Sequence, residues 1–403
     1  MPMVQRGVSL AFLHAILEAL KELDRVDYDS GRFLNGGHTT NSKTDWQEFD
    51  RGRDPYSGKA CTLHTGTSFV ETCIAAGLTH DERGNAFFGP INVFASYTWR
   101  GEGITLANLV AAVVETLERE GVDPGEVFMF VDIFVCAQHR NERPESKTCP
   151  NATDVGKFKE VIQHCERLLL YCTPIKSPRT LTRVWCLYEM MEAMQMNIPV
   201  HVALGHADAT TLESLILDSD ERERLLQMFA AIKTQDAEAT WEQDRVMVFK
   251  WIEEALGANC FEKMDELVRD GMRKWLLKMM VALAQKGLGE DETDLLGAIG
   301  LLSREVGDFD QALKCHTREL SLKIERHGHD HRVVAETKVR FSFHCLSFSF
   351  KQCAPVQVNI GNVYYVKADY DKALATWQEA LPVLEAKLGP EHPVVADTQV
   401  PQI

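Results

Sequence analysis

Leu168-Leu-Leu-Tyr-Cys172, a helical stretch from about residue 181 to 196, and then Pro199-Val-His-Val-Ala-Leu204 form the succession that decides the fold of the chain's front half. Both flanking runs are short and apolar throughout, the pattern of strands buried on both faces. Two such strands joined through a helix make a parallel pair. The alternation extends upstream. Ile91-Asn-Val-Phe-Ala-Ser-Tyr97 reads as a strand, Leu106 to Arg119 has a helical period, and Val127-Phe-Met-Phe-Val-Asp-Ile133 reads as a second strand. A polar excursion over 138–154 precedes a helix near 155–166. Residues 90–205 are expected to form an α/β domain whose parallel sheet is covered by helices on both faces.

Strand signals stop after residue 205. Leu212–Ile232, Trp241–Leu256 and Met264–Lys286 have helical patterns, punctuated by Gly205, Gly257, Gly287 and Gly289, so 206–289 is read as a helical connector. Residues 1–89 are read as an N-terminal extension. Within it, residues 9–20 have apolar positions at helical spacing, and His14 and Glu18 break the run, which favours an amphipathic helix over a signal peptide. Residues 28–60 are polar and loop-like, and no apolar run approaches the roughly 20 residues of a membrane span.

Bulk composition narrows the class. The chain has 403 residues, room for two or three domains, and its apolar and charged fractions of 45% and 25% suit ordinary cores. With 59 acidic against 43 basic residues its formal charge is −16, which argues against nucleic acid or an anionic membrane as the main partner. The eleven cysteines are scattered singly with no C-x-x-C pair, and several lie in apolar runs. That pattern suggests reduced thiols in the cytoplasm, with no metal site.

The last third repeats. Gly300-Leu-Leu-Ser-Arg-Glu-Val-Gly-Asp-Phe-Asp-Gln-Ala-Leu313 aligns without gaps on Gly361-Asn-Val-Tyr-Tyr-Val-Lys-Ala-Asp-Tyr-Asp-Lys-Ala-Leu374. The match continues, pairing Gly328 with Gly389 and His331 with His392. Small residues (Gly300, Ala312, Gly361, Ala373, Ala380) recur where two helices cross closely, and Phe309, Tyr370 and Trp377 fill the space between them. That is the packing logic of stacked helical hairpins. The two glycines nevertheless lie 61 residues apart, and removing the 19 residues Arg340 to Val358 would restore a spacing of 42. This phenylalanine-rich segment is either an inter-repeat loop or translated intron. The second is favoured, because such a loop would expose an apolar patch. A third unit would begin where the sequence stops at Ile403, so a longer native array is expected.

Two family resemblances arise from these residues. The repeats at 290–403, with Gly389-Pro-Glu-His-Pro393 as a joining turn, resemble tetratricopeptide (TPR) repeats of the kinesin light chain type. His316 and Glu319 stand where that pattern has an aromatic and a small residue. The 90–205 block resembles a TIR domain (a flavodoxin-like parallel sheet) through Phe94-Ala-Ser-Tyr97, Phe130-Val-Asp132 and Trp185-Cys-Leu-Tyr-Glu189.

In an open parallel sheet, ligands bind beyond the carboxyl ends of the strands, where Ser96, Tyr97, Trp99 and Asp132 are expected. The TIR resemblance implies that Glu189 corresponds to the glutamate that cleaves the nicotinamide–ribose bond of NAD in enzymatic members, with those four residues lining the nucleotide site. The plainer alternatives are a core tryptophan at 185, a surface acid at 189 and an ordinary sheet end at 96–97. No P-loop motif is present, and His327-Gly-His-Asp-His331 falls in an inter-repeat turn. The functional expectation is a cytoplasmic adaptor or signalling scaffold that binds a protein or peptide on its repeats and can self-associate. The alternative is a TIR-type NAD glycohydrolase regulated by the repeats, with NAD as substrate and no cofactor.

Overall fold

The computed structural model describes residues 1–22, 67–99, 101, 104–137, 154–286, 291–328, 364, 367, 369–390 and 395. Gly361 and the 340–358 segment lie outside the described residues, and so does the polar stretch 28–60. The chain divides into two units, Met1–Leu212 with Arg224–Gly271 and Glu213–Glu223 with Met272–Ile403.

The first unit is built on a six-stranded sheet: β1 (Gly7–Ser9), β2 (Phe88–Gly89), β3 (Val93–Ser96), β4 (Phe128–Phe130), β5 (Arg167–Tyr171) and β6 (Val200–Ala203). Their spatial order is β2-β1-β4-β3-β5-β6. The four strands expected from the apolar runs are parallel, β3 pairing with β4 and β5, and β5 with β6. The sheet as a whole is mixed, which corrects the expectation of a parallel one. β1 comes from the N-terminal segment and runs antiparallel to both β2 and β4. Glycines permit this close arrangement: a Cβ on Gly7 or Gly89 would lie 2.8 Å from the Phe128 side chain.

Helices cover both faces. On one side lie α1 (Leu10–Glu22), α2 (Phe69–Ala75) and α3 (Leu106–Arg119). They share a core with Val93, Ala95, Tyr97, Met129, Val131 and Leu169. Because strand side chains alternate, Phe94, Ser96 and Phe130 point to the other face. There Phe94 stacks on Phe130 at 4.5 Å, and both meet Phe158. The helices on that side are α5 (Phe158–His164) and α6 (Val184–Gln195). A one-turn helix, α4 (Asp132–Val135), directly follows β4. Asp132 therefore begins a helix, where a longer strand through Ile133 was expected.

Nearly every residue of α6 from Val184 to Ala193 is buried. One side lies on the sheet and another on α9 (Glu242–Leu256), whose Trp251 ring touches Trp185 and Tyr188. A helix apolar on all sides belongs in an interior, so the acids it carries are buried with it. The remaining helices of the connector are α7 (His206–Leu217), α8 (Ser219–Ala230) and α10 (Cys260–Ala284). The single helix expected over 212–232 is two, because the Asp218 carboxylate caps a new start by accepting from the Asp220 and Glu221 N–H groups at 2.9 and 3.0 Å.

In the second unit α11 (Asp291–Glu305) and α12 (Phe309–His327) form a helical hairpin turned at Gly307, with φ +82°. α13 (Tyr370–Leu388) repeats α12 in detail. Both helices have 19 residues, both are capped by an aspartate (Asp308, Asp369), and both end at a glycine with φ above +80°. Ala312 and Ala373 are fully buried at equivalent positions. Between α11 and α12 the axes approach closely. A Cβ on Gly300 would lie 2.4 Å from the His316 ring, and one on Gly297 would lie 3.1 Å from the Glu319 carboxylate. His316 and Glu319 thus fill space that the glycines leave. The buried His316 pairs with Glu319 at 3.0 Å, and Lys323 also pairs with that carboxylate. No helix among the described residues is long and apolar enough to cross a membrane.

Candidate functional site

The carboxyl ends of β3 and β4 bring Ser96, Tyr97, Trp99 and Asp132 together, and α6 sets Glu189 against the same place. Asp132 is the organising group. Its Oδ1 accepts from the Tyr97 phenol at 2.7 Å, and its Oδ2 from the Trp99 indole Nε1–H at 2.7 Å. The Ile133 N–H also donates to Oδ1, at 2.9 Å. Burial pushes the Asp132 carboxyl up from its ordinary value, and the three donors oppose the shift without cancelling it. Trp99 directs its polar edge at protein.

Glu189 is 7% exposed, and its position follows from the helix. Cys186, Glu189 and Ala193 recur at intervals of three and four and are buried together. Burial raises the Glu189 carboxyl to about 8; the Ser96 hydroxyl beside it pulls the other way, and the Asp132 charge adds to the rise. At neutral pH Glu189 is mostly a neutral acid. One turn further on, Glu192 is equally deep but has a cation, Lys159, at 2.9 Å. The site thus holds two buried carboxyl groups, both raised by burial: Asp132 supplied with hydrogen-bond donors, and Glu189 without a cation to offset its burial.

Ser96 is 1% exposed. Its hydroxyl lies close enough to the Glu189 carboxyl and the Cys186 thiol to favour their anions, yet it completes no hydrogen bond of good geometry. Cys186 Sγ reaches the Tyr97 carbonyl at 3.5 Å. Burial, with Glu189 adding to it, drives the Cys186 thiol well above its usual range, so it is not a thiolate nucleophile. Cys136 behaves likewise.

Sequence reasoning did not single out Cys186 or Cys136 as neighbours of Glu189. The only available signal for Cys186 was its place three residues before Glu189 on one helix face. Of the repeat residues, Ala312, Ala373 and Trp377 are buried, Phe309 packs with Leu313 on Ala312, Tyr370 is exposed, and the Ala380 side chain lies outside what is described. No protein-family profile matches the chain, and no curated protein matches it.

Proposed function

We propose that the chain is a protein-interaction scaffold in which tetratricopeptide-like hairpins of the kinesin light chain type bind a protein or peptide, alongside a TIR-like, flavodoxin-like module. The observation that carries this reading is the repetition of α12 in α13: equal length, the same aspartate and glycine caps and the same buried alanine. Repeats of this kind present extended surfaces to partners. Tyr370 and Leu374 stand exposed four residues apart on α13 and offer such a contact. All seven cysteines among the described residues are buried, and we assign the chain a cytoplasmic setting. Affinity purification from cells tests the scaffold. A chain carrying Tyr370→Asp and Leu374→Asp should lose specific partners while keeping its helical circular dichroism. An unchanged partner set would remove the basis for this reading.

A second reading, NAD glycohydrolysis, is favoured by the site itself. The order of the four parallel strands, second-first-third-fourth, matches doubly wound nucleotide-binding sheets. Two buried carboxyl groups with raised pKa values, Asp132 after a strand and Glu189 on the helix facing it, are a pattern of acid–base sites. In this reading the ionised form of Glu189 stabilises positive charge developing at the ribose carbon. Glu189→Gln should then lower nicotinamide release at least ~100-fold, the effect of losing one electrostatic contact. Wild-type protein that leaves NAD intact, even when clustered, sinks this reading and leaves the scaffold.

A further inference from the structure

Several features converge where β3 meets α6. The buried Ser96 hydroxyl has no hydrogen-bond partner, although buried polar groups nearly always find one. It lies against Glu189, a second deeply buried polar group. Asp132 places another carboxyl close enough to act on Glu189, with both its own oxygens engaged by Tyr97 and Trp99. Among the described residues the influences on Glu189 are burial, Ser96 and Asp132, and no cation is among them. Arg6 and Arg183 act instead on the neighbouring thiols of Cys136 and Cys186.

We propose that Glu189, Ser96 and Asp132 form a binding site for a small organic cation bearing N–H donors, of the amidinium, guanidinium or primary ammonium class. Its N–H groups satisfy the Ser96 oxygen and the Glu189 carboxyl, and its charge is matched by Glu189 with Asp132 behind it. A neutral amide of the same shape brings donors but no charge. On binding, the Glu189 carboxylic acid gives its proton to solvent and remains as carboxylate, while the cation keeps its own protons. The other titratable groups facing this point are Asp132 and Cys136 from the α4 segment and Cys186 from α6. Both thiols are held neutral by burial, so the released proton comes from a carboxyl group, which we assign to Glu189 and which Glu189→Gln tests. The inference rests on the placement of these side chains and holds whether or not NAD is turned over.

Isothermal titration of the full chain with acetamidinium chloride, with acetamide as the neutral isostere, tests it. Running each titration in two buffers of different ionisation heat counts the protons released. Acetamidinium should bind with release of about one proton at pH 7, and about 10-fold more tightly at pH 9, where Glu189, titrating at about 8, is already ionised. Acetamide should bind at least ~10-fold more weakly, the scale of a charge-assisted contact. Glu189→Gln should abolish the proton release and the preference for the cation. Ser96→Ala should weaken binding severalfold with proton release retained, which keeps the test decisive if Glu189→Gln does not fold. Equal affinity for acetamide, cation binding without proton release at pH 7, or no binding of acetamidinium would each overturn the assignment.

Discussion

Glu189 sits on a helix buried from all sides and faces a hydroxyl and another acid in place of a base. In an unfolded chain its carboxyl titrates near 4.5; folded, it is raised to about 8. Between those values the folded state holds a proton that the unfolded state has lost. The contribution is therefore most favourable below about 4.5 and declines as pH rises through about 8. At pH 9 the burial penalty amounts to at most ~5 kcal/mol. Glu189→Gln should consequently stabilise the first unit by a few kcal/mol in urea unfolding at pH 9 and change little at pH 5; equal effects at both would exclude a buried acid. Trp99→Phe makes the complementary point. It keeps an aromatic side chain, though a smaller one, and removes the donor to Asp132, and should cost about 1–3 kcal/mol at pH 7. If urea unfolding shows no loss, the Trp99–Asp132 bond does not hold the site. The strand end at Ser96 was legible because an apolar run stops there, whereas after Asp132 the apolar residues continue into α4 and concealed the end of β4. That Tyr97 and Trp99 would give their donors to Asp132 was not legible, because pairing across 35 and 33 residues leaves no local pattern.

Secondary-structure elements were readable in proportion to their length. α3 falls on Leu106–Arg119 as its period indicated, since fourteen residues sample the helical repeat several times. β1 and β2, with three and two residues, are too short to show any alternation. They exist because neighbouring strands and the Phe128 side chain over two glycines complete them. The α11–α12 crossing lies between these extremes: the repeat identified Gly300, but what fills the space over it is a histidine. That substitution gives a prediction with an unusual sign. In an exposed helix, glycine to alanine stabilises by roughly 1 kcal/mol. At Gly300 the added methyl would meet a buried ring that is paired with Glu319, so Gly300→Ala should destabilise by about 1–3 kcal/mol. Thermal melts of the two proteins decide between them. A higher melting temperature in the variant would show that α11 and α12 do not cross there.

Across the whole molecule, the two units carry buried carboxyl groups with opposite electrostatic surroundings, and they should respond to pH in opposite directions. In the first unit Glu189 has burial and Asp132 against it, and its pKa is raised. In the second, burial also works against Glu319, but its bond to His316 and the Lys323 charge prevail, and its pKa is lowered. The sign for Glu319 is therefore the reverse: its contribution is present above the unfolded value near 4.5 and is lost as pH falls through its folded value. Hydrogen exchange, corrected for intrinsic rates, reads local stability segment by segment. Protection of β5 and α6 amides should fall between pH 6 and 9 and be levelled by Glu189→Gln. Protection of α12 amides should instead fall between pH 6 and 3.5. Glu319→Gln should lower that protection at pH 6 and flatten its acid dependence, because the ion pair is already gone. If α12 and β5 lose protection at the same end of the pH range, or if Glu319→Gln leaves the acid response of α12 intact, the charged pair at the hairpin crossing is not what stabilises it.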